Sequence, residues 1–275
     1  MRSAKSSRGS FWVPQCGKAA KRSLLSCGLH SIHIFRQNLS AGAIMGNEHI
    51  LITGAAGAIG AALAHELRRR RQGAHLSLVD RDGAALDRLA SALPGSVSTD
   101  LLDLGCTHSL AEHWSLWTTA AGPVTTLINC AGIMLVRSLA GTTWQRAREL
   151  LDIDLIAPLR LMDLALPEML ATGHGCIVNI TSMAGITPLR GCSYYGAAKA
   201  GLAMASEIAN QELRKRGVHV LTVYPGPIAS ALERGARAGY GSSWTRHLPS
   251  SKPQALAMRI VDGIDSRATR LVYPK

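Results

Sequence analysis

The stretch Thr53-Gly54-Ala55-Ala56-Gly57-Ala58-Ile59-Gly60 decides how this chain is read. It follows directly on the apolar run 50–53, and behind it Ile59, Ala62, Leu63 and Leu67 recur at helical spacing. Glycines at such a strand-to-helix junction let the backbone turn tightly and approach a pyrophosphate, which rests against the N–H groups and positive end of the helix. A glycine turn alone would serve equally well as a close packing point between strand and helix. Asp80 favours the first reading, because it stands twenty residues beyond Gly60 at the end of the next β-type run. A carboxylate there accepts hydrogen bonds from the adenosine ribose hydroxyls and repels a 2′-phosphate. NAD(H) is therefore the expected cofactor; NADP(H) is the alternative, with Arg81 as the residue that would meet its phosphate.

Outward from this turn, β-type runs at 50–53, 76–80, 97–101, 125–129, 176–182, 218–224 and 270–273 alternate with helical periodicity. Several runs are apolar without alternation, as in strands buried on both faces. The pattern predicts a doubly wound α/β fold, a seven-stranded parallel sheet with helices on both faces, formed as one domain by residues 46–275. The longest glycine- and alanine-rich apolar stretch, 51–64, is shorter than the roughly 18 residues a spanning helix needs, so no transmembrane segment is expected.

Net charge is the loudest feature of the 275 residues, at +12, and it raises nucleic acid or an anionic membrane as partners. Its distribution argues otherwise. Residues 1–45 hold seven basic side chains and no acidic one, which leaves 23 basic against 18 acidic residues for the remainder. An Arg/Ser-rich, acid-free extension reads as an organelle transit peptide, as a disordered basic arm, or as sequence preceding a true start at Met45, and the last is preferred. Cys16, Cys27, His30 and His33 lack zinc-finger spacing, so no metal is expected. Cys106, Cys130, Cys176 and Cys192 lie in or beside apolar runs, where a reduced thiol is the default, and a cytoplasmic location follows.

A second constellation carries chemistry. Tyr195-Gly196-Ala197-Ala198-Lys199 puts a phenol and an ammonium four residues apart on one helical face, where the ammonium is expected to lower the phenol pKa. Taken alone this is as well explained by a surface pair. Ser182, thirteen residues earlier, lies at the carboxyl end of the fifth run, where such sheets face their ligand crevice.

Together these residues resemble the short-chain dehydrogenase/reductase family in its compact, single-domain, Rossmann-type branch, and the resemblance covers residues 48–274. It rests on Gly54, Gly57 and Gly60, Asp80, Asp100-Leu101, Asn129-Cys130-Ala131-Gly132, Ser182, Tyr195 with Lys199, and Pro225-Gly226, in the family's order. It implies an NAD(P)-dependent oxidoreductase acting on a secondary alcohol or ketone. Tyr195 would be the general acid/base, Ser182 would hold the substrate oxygen, and Lys199 would bind the nicotinamide ribose. Asp100 and Leu101 would meet the adenine. Ile59, Asn129, Ala131 and Gly132 would line the cofactor site, and Pro225, Gly226, Ile228 and Ser230 would contact the nicotinamide. A homodimer or homotetramer is implied as well.

Three departures stand out. Ala58 replaces a customary glycine, Cys130 replaces an asparagine, and Asp154 stands where the family has a fourth catalytic residue, an asparagine acting through its main-chain carbonyl. Asp154 is expected to support catalysis, while its carboxylate partly offsets Lys199 at Tyr195. The segment 226–252, with Gly235, Gly239, Tyr240, Gly241 and Trp244, reads as a mobile loop over the substrate. Met134, Leu135, Leu189 and Trp244 would make the cleft apolar, and the sequence from Lys252 to Pro274 resembles relatives acting on lipophilic ketones or alcohols. Two other functions compete: a dinucleotide-binding regulator without turnover, and a polyanion binder using the N-terminal arm with Arg68, Arg69, Arg70 and Arg71. The last is disfavoured because those arginines end a helix, where cations suit the dipole and solvent.

Overall fold

The computed structural model describes residues 36–38, 48–239 and 249–274. Seven parallel strands are present, β1 His49–Thr53, β2 His75–Asp80, β3 Val97–Leu101, β4 Thr126–Asn129, β5 Gly175–Ile180, β6 Val218–Pro225 and β7 Arg270–Tyr273. Their order is β3-β2-β1-β4-β5-β6-β7. The chain thus winds outward from β1 in one direction, then resumes from β4 in the other, and the reversal opens a crevice at the strand carboxyl ends.

An eighth strand was not expected. Arg36–Asn38 pairs antiparallel with β3, Arg36 opposite Thr99 and Asn38 opposite Val97. Without it β3 would be an edge with open donors and acceptors, and a short antiparallel segment satisfies them. The rest of the 1–45 extension, including Cys16, Cys27, His30 and His33, and Met45 itself, lies outside the described residues.

The helices are α1 Ala58–Arg70, α2 Gly83–Ala92, α3 Leu110–Ala121, α4 Trp144–Leu151, α5 Ala157–Thr172, α6 Ser193–Leu213, α7 Ala231–Gly239 and α8 Pro253–Asp265. Two apolar layers result from the two-residue period of the strands. Ile50 and Ile52 of β1 pack with Leu63 and Leu67 of α1 and Leu256 and Ile260 of α8. Leu51, between them in sequence, points to the other face, towards Trp117 of α3 and Leu161 of α5. Every residue of β1 and β6 is buried, which accounts for their largely apolar sequences without two-residue alternation.

Two expectations fail here. Arg68 does not face solvent at the end of α1: it is 4% exposed and donates to the carbonyls of Gln72, Ala74 and Ser96 at 2.8, 2.8 and 2.7 Å. Arg70 pairs with Glu66 and Asp262, and Arg71 with Glu48. These cations hold the amino end of the sheet to α1 and α8, so their charge is matched internally. The segment after Ile228 is helical as α7, although its glycines read as loop. The Ser230 Oγ accepts from the Glu233 main-chain N–H at 3.0 Å and caps that helix, and Ser-x-x-Glu was the overlooked signal. Tyr240, Gly241 and Trp244 lie outside the described residues. Cys130, Cys176 and Cys192 are free thiols.

Candidate active site

The glycine turn is built against the end of β4. Gly54 has φ +64°, and a Cβ there would lie 2.6 Å from the Ala131 Cα; one on Gly60 would lie 2.2 Å from the Gly54 carbonyl oxygen. Neither position admits a side chain. Thr53 completes the junction, its Oγ1 accepting from the N–H groups of Cys130 and Ala131 at 3.2 and 3.3 Å. Helix α1 starts at this point with no side-chain cap and no acid in its first turn. Its first N–H groups are thereby left to a ligand of opposite charge.

Gly54, Gly57, Ile59 and Gly60 line a groove of about 390 Å³ that runs along the strand ends to Asp80, Arg81 and Asp82. It is continuous with a second cavity of about 410 Å³, since Ile59, Ala131, Gly132 and Ser230 border both. Glycine-bared backbone, an uncapped helix start and a terminal carboxylate are the features a dinucleotide requires. Asp80 is held in place by two main-chain donors, Ala56 N–H at 2.9 Å and Asp82 N–H at 3.2 Å.

Three expected groove residues are placed elsewhere. Asp100 points inward beneath α3, where its Oδ2 accepts from Trp117 Nε1 at 2.8 Å and meets His113 Nδ1 at 2.5 Å. Leu101 is exposed and borders neither cavity; Leu102 and Asp103 form that part of the groove instead. Asn129 is buried, its Nδ2 donating to Asn179 Oδ1 at 2.8 Å, so it ties β4 to β5. Cys130, Ala131 and Gly132 are the wall residues of this segment. Cys130, read in the sequence only as a packing change, borders both cavities.

The second cavity gathers the predicted chemical residues. Ser182, Tyr195, Lys199 and Asp154 all line it, as do Pro225, Gly226, Ile228 and Ser230. Ser182 lies two residues beyond β5, rather than within it, in extended backbone, its Oγ accepting from Ala184 N–H at 3.1 Å. Tyr195 and Lys199 are one turn apart near the start of α6, with the Lys199 Nζ 5.9 Å from the tyrosine ring centroid. Asp154 sits in a π-helical turn, Asp152–Ile156, between α4 and α5. Such widened turns re-aim side chains and recur at functional sites. Its Oδ1 accepts from Ile133 N–H at 2.8 Å and its Oδ2 is 3.1 Å from Lys199 Nζ.

Burial governs the electrostatics. It pushes the Tyr195 phenol above its ordinary range, with Asp154 acting in the same direction, while Lys199 and a hydrogen bond with Ser182 oppose it. The net direction is thus upward, opposite to that expected from the Lys199 spacing alone. Burial acts to lower the Lys199 ammonium, but the Asp154 carboxylate and Tyr195 outweigh it and raise it. Asp154 therefore offsets the lysine, as the sequence suggests.

Of the apolar residues expected in the cleft, Met134 and Leu189 line it, together with Val136, Met183 and Leu232. Leu135 packs instead in the small cluster around Tyr195 and Ala198. Glu233 and Arg190 also reach the wall.

Comparison with known proteins agrees with this geometry. Residues 48–241 match the short chain dehydrogenase family. A Mycobacterium tuberculosis protein that bears the name of an oxidoreductase, SadH, is 32% identical over 232 residues, 81% of this chain and 84% of its own. A short-chain dehydrogenase from Sphingobium yanoikuyae, solved in complex with NADPH, superposes with a TM-score of 0.73 at 29% identity, over 82% of this chain and 88% of that one. The bulky-bulky ketone specific alcohol dehydrogenase of Comamonas testosteroni gives 0.71 at 28% identity, over 84% and 88%. This chain belongs to the short chain dehydrogenase family, oxidoreductases built on an NAD(P)-binding Rossmann-type sheet.

Proposed function

We propose that the chain interconverts a secondary alcohol and a ketone, with Tyr195 as general acid/base. The observation that carries the reading is the convergence of Ser182, Tyr195 and Lys199 on one cavity that runs into the glycine-turn groove. A nicotinamide dinucleotide bound along that groove would supply or accept the hydride. Tyr195 gives a proton to the ketone oxygen or takes one from the alcohol. Ser182 holds that oxygen as its charge changes, and the buried Lys199 fixes the ribose side of the site. Pro225, Gly226 and Ile228 confine the ring end.

Asp80 supports NAD(H) as the preferred cofactor, since its carboxylate, joined by Asp82, closes the far end of the groove against a phosphate. The walls formed by Met134, Val136, Met183, Leu189 and Leu232 favour a lipophilic substrate. Met204 and Ile208, exposed on α6, support assembly as a homodimer or homotetramer.

The test is Tyr195→Phe. Turnover should fall by roughly two to four orders of magnitude, with NADH binding followed by fluorescence quenching retained. A screen of ketones and alcohols with each cofactor supplies the substrate, and wild-type turnover by the phenylalanine variant would overturn the assignment.

A further inference from the structure

The Lys199 ammonium is engaged by two groups besides Tyr195. It lies 3.1 Å from the Asp154 carboxylate and donates to the Ile180 carbonyl at 3.2 Å. Asp154 is fully buried, and Gly132 closes over the pair: a Cβ there would be 3.2 Å from Asp154 Oδ2 and 3.3 Å from Lys199 Nζ. Both side chains border the cavity yet are almost wholly enclosed by protein, so the carboxylate acts at close range in a medium of low polarity. A main-chain role at position 154 would need no carboxylate. This one is fixed by the Ile133 N–H at 2.8 Å and aimed at the lysine.

Resting on the reading of Tyr195 as the acid/base, we propose that the Asp154 carboxylate neutralises Lys199 and thereby sets the site to donate a proton to a ketone at neutral pH, alcohol oxidation becoming fast only under alkaline conditions. In the favoured direction the ketone carbon takes a hydride from the reduced dinucleotide, its oxygen takes the Tyr195 proton, and solvent reprotonates the tyrosinate. The overall equilibrium is unchanged; what Asp154 sets is the pH at which each direction is fast.

The other ionisable neighbours do not supply this effect. Cys130, from the end of β4, and Cys192, from the turn before α6, are both held as thiols by burial, Cys130 at about 12. Arg190 and Glu233 face the same cavity from its wall, and Glu233 is drawn towards Ser250, whose Oγ donates to it at 3.1 Å. Asp154 is the carboxylate that touches Lys199 among the described residues.

The experiment compares wild type with Asp154→Asn, which keeps an acceptor for Ile133 and removes only the charge. Tyrosinate absorbance is titrated in the protein alone, with the Tyr195→Phe background subtracted. Tyr195 should ionise at lower pH in the variant. With cofactor and substrate, alcohol oxidation kcat/KM at neutral pH should rise roughly tenfold, one pH unit of displacement, and ketone reduction should decline earlier as pH rises. Lys199→Met provides an independent arm in case the asparagine variant does not fold. Removing the lysine leaves the Asp154 carboxylate unopposed, so Tyr195 should ionise at higher pH than in wild type; an unmoved titration overturns the proposal. Coincident titrations for wild type and Asp154→Asn overturn it as well, even with turnover intact. A displaced titration without turnover on any alcohol or ketone instead sinks the oxidoreductase reading, and the proposed direction with it.

Discussion

The Asp80 carboxylate accepts a hydrogen bond from the Ala56 main-chain N–H at 2.9 Å, so the residue that ends β2 also braces the glycine turn that opens α1. On the proposed function, one side chain both shapes the glycine turn and meets the ribose beyond it. Asp80→Ser separates the two roles, because serine keeps a small polar group and loses the charge. NADH affinity should fall about tenfold, the worth of one charge-assisted hydrogen bond, while NADPH affinity holds or rises as Arg81 meets its phosphate. Fluorescence titration with each cofactor decides it. Equal losses for both would show that Asp80 only braces the turn, and the NAD(H) preference would be abandoned.

The turn was legible in the sequence because it is a backbone demand, whereas Asp80 was legible only as a candidate ribose partner and not as the brace on Ala56. Gly54 and Gly60 occupy positions where a Cβ would strike main-chain atoms, and no packing choice elsewhere relieves that. Asp100 and Asn129 show where such reading stops. The motif gives their place on a strand end, yet which way each side chain turns depends on partners far along the chain, Trp117 and Asn179. Tyr195 is similar. A spacing of four brings Lys199 near it, but burial and the Asp154 carboxylate, which together raise the phenol, arise only when the π turn meets α6. Helix α7 was legible in principle, since Ser230 and Glu233 carry its cap, and Gly235 drew attention away from them.

Arg68 and Arg69 are neighbours in sequence with opposite surroundings, and substitution should separate them sharply. Arg68→Met would leave the carbonyls of Gln72, Ala74 and Ser96 without their buried donor. Stability should drop by about 2–4 kcal/mol. Arg69 is largely exposed and bonded to Glu66 on its own helix, so Arg69→Met should leave stability almost unchanged. Urea unfolding of the two variants measures the difference. Equal effects would mean that the arginine run acts as a solvated charge cluster after all.

His49 and His75 lie side by side in the sheet, remote from the site, in a hydrogen-bonded chain whose every proton is fixed by one anchor. His49 Nδ1 is 2.8 Å from the Gly122 carbonyl, which can only accept, so that nitrogen carries the hydrogen. His49 Nε2 must then accept from Ser77 Oγ at 2.8 Å, and Ser77 Oγ must accept from Ser98 Oγ at 3.0 Å. Ser98 in turn accepts from His75 Nε2 at 2.9 Å, and His75 Nδ1 accepts from Ser96 Oγ at 2.7 Å. Both rings are neutral in this pattern, and a further proton on either takes the acceptor from a serine hydroxyl hydrogen, that of buried Ser77 or half-buried Ser96. Burial accordingly lowers both histidines, His75 from 6.5 to about 4. In the unfolded chain each takes up its proton near 6.5, so below that value the unfolded state binds more protons than the folded one. The resulting stability is complete above 6.5 and, for His75, is lost as pH falls from 6.5 towards 4, by up to about 1.4 kcal/mol per pH unit, with His49 acting in the same direction. Urea unfolding across that interval should show the decline, and His75→Gln, lower in stability at neutral pH, should show a shallower one. An undiminished slope in that variant would place the acid sensitivity elsewhere in the fold.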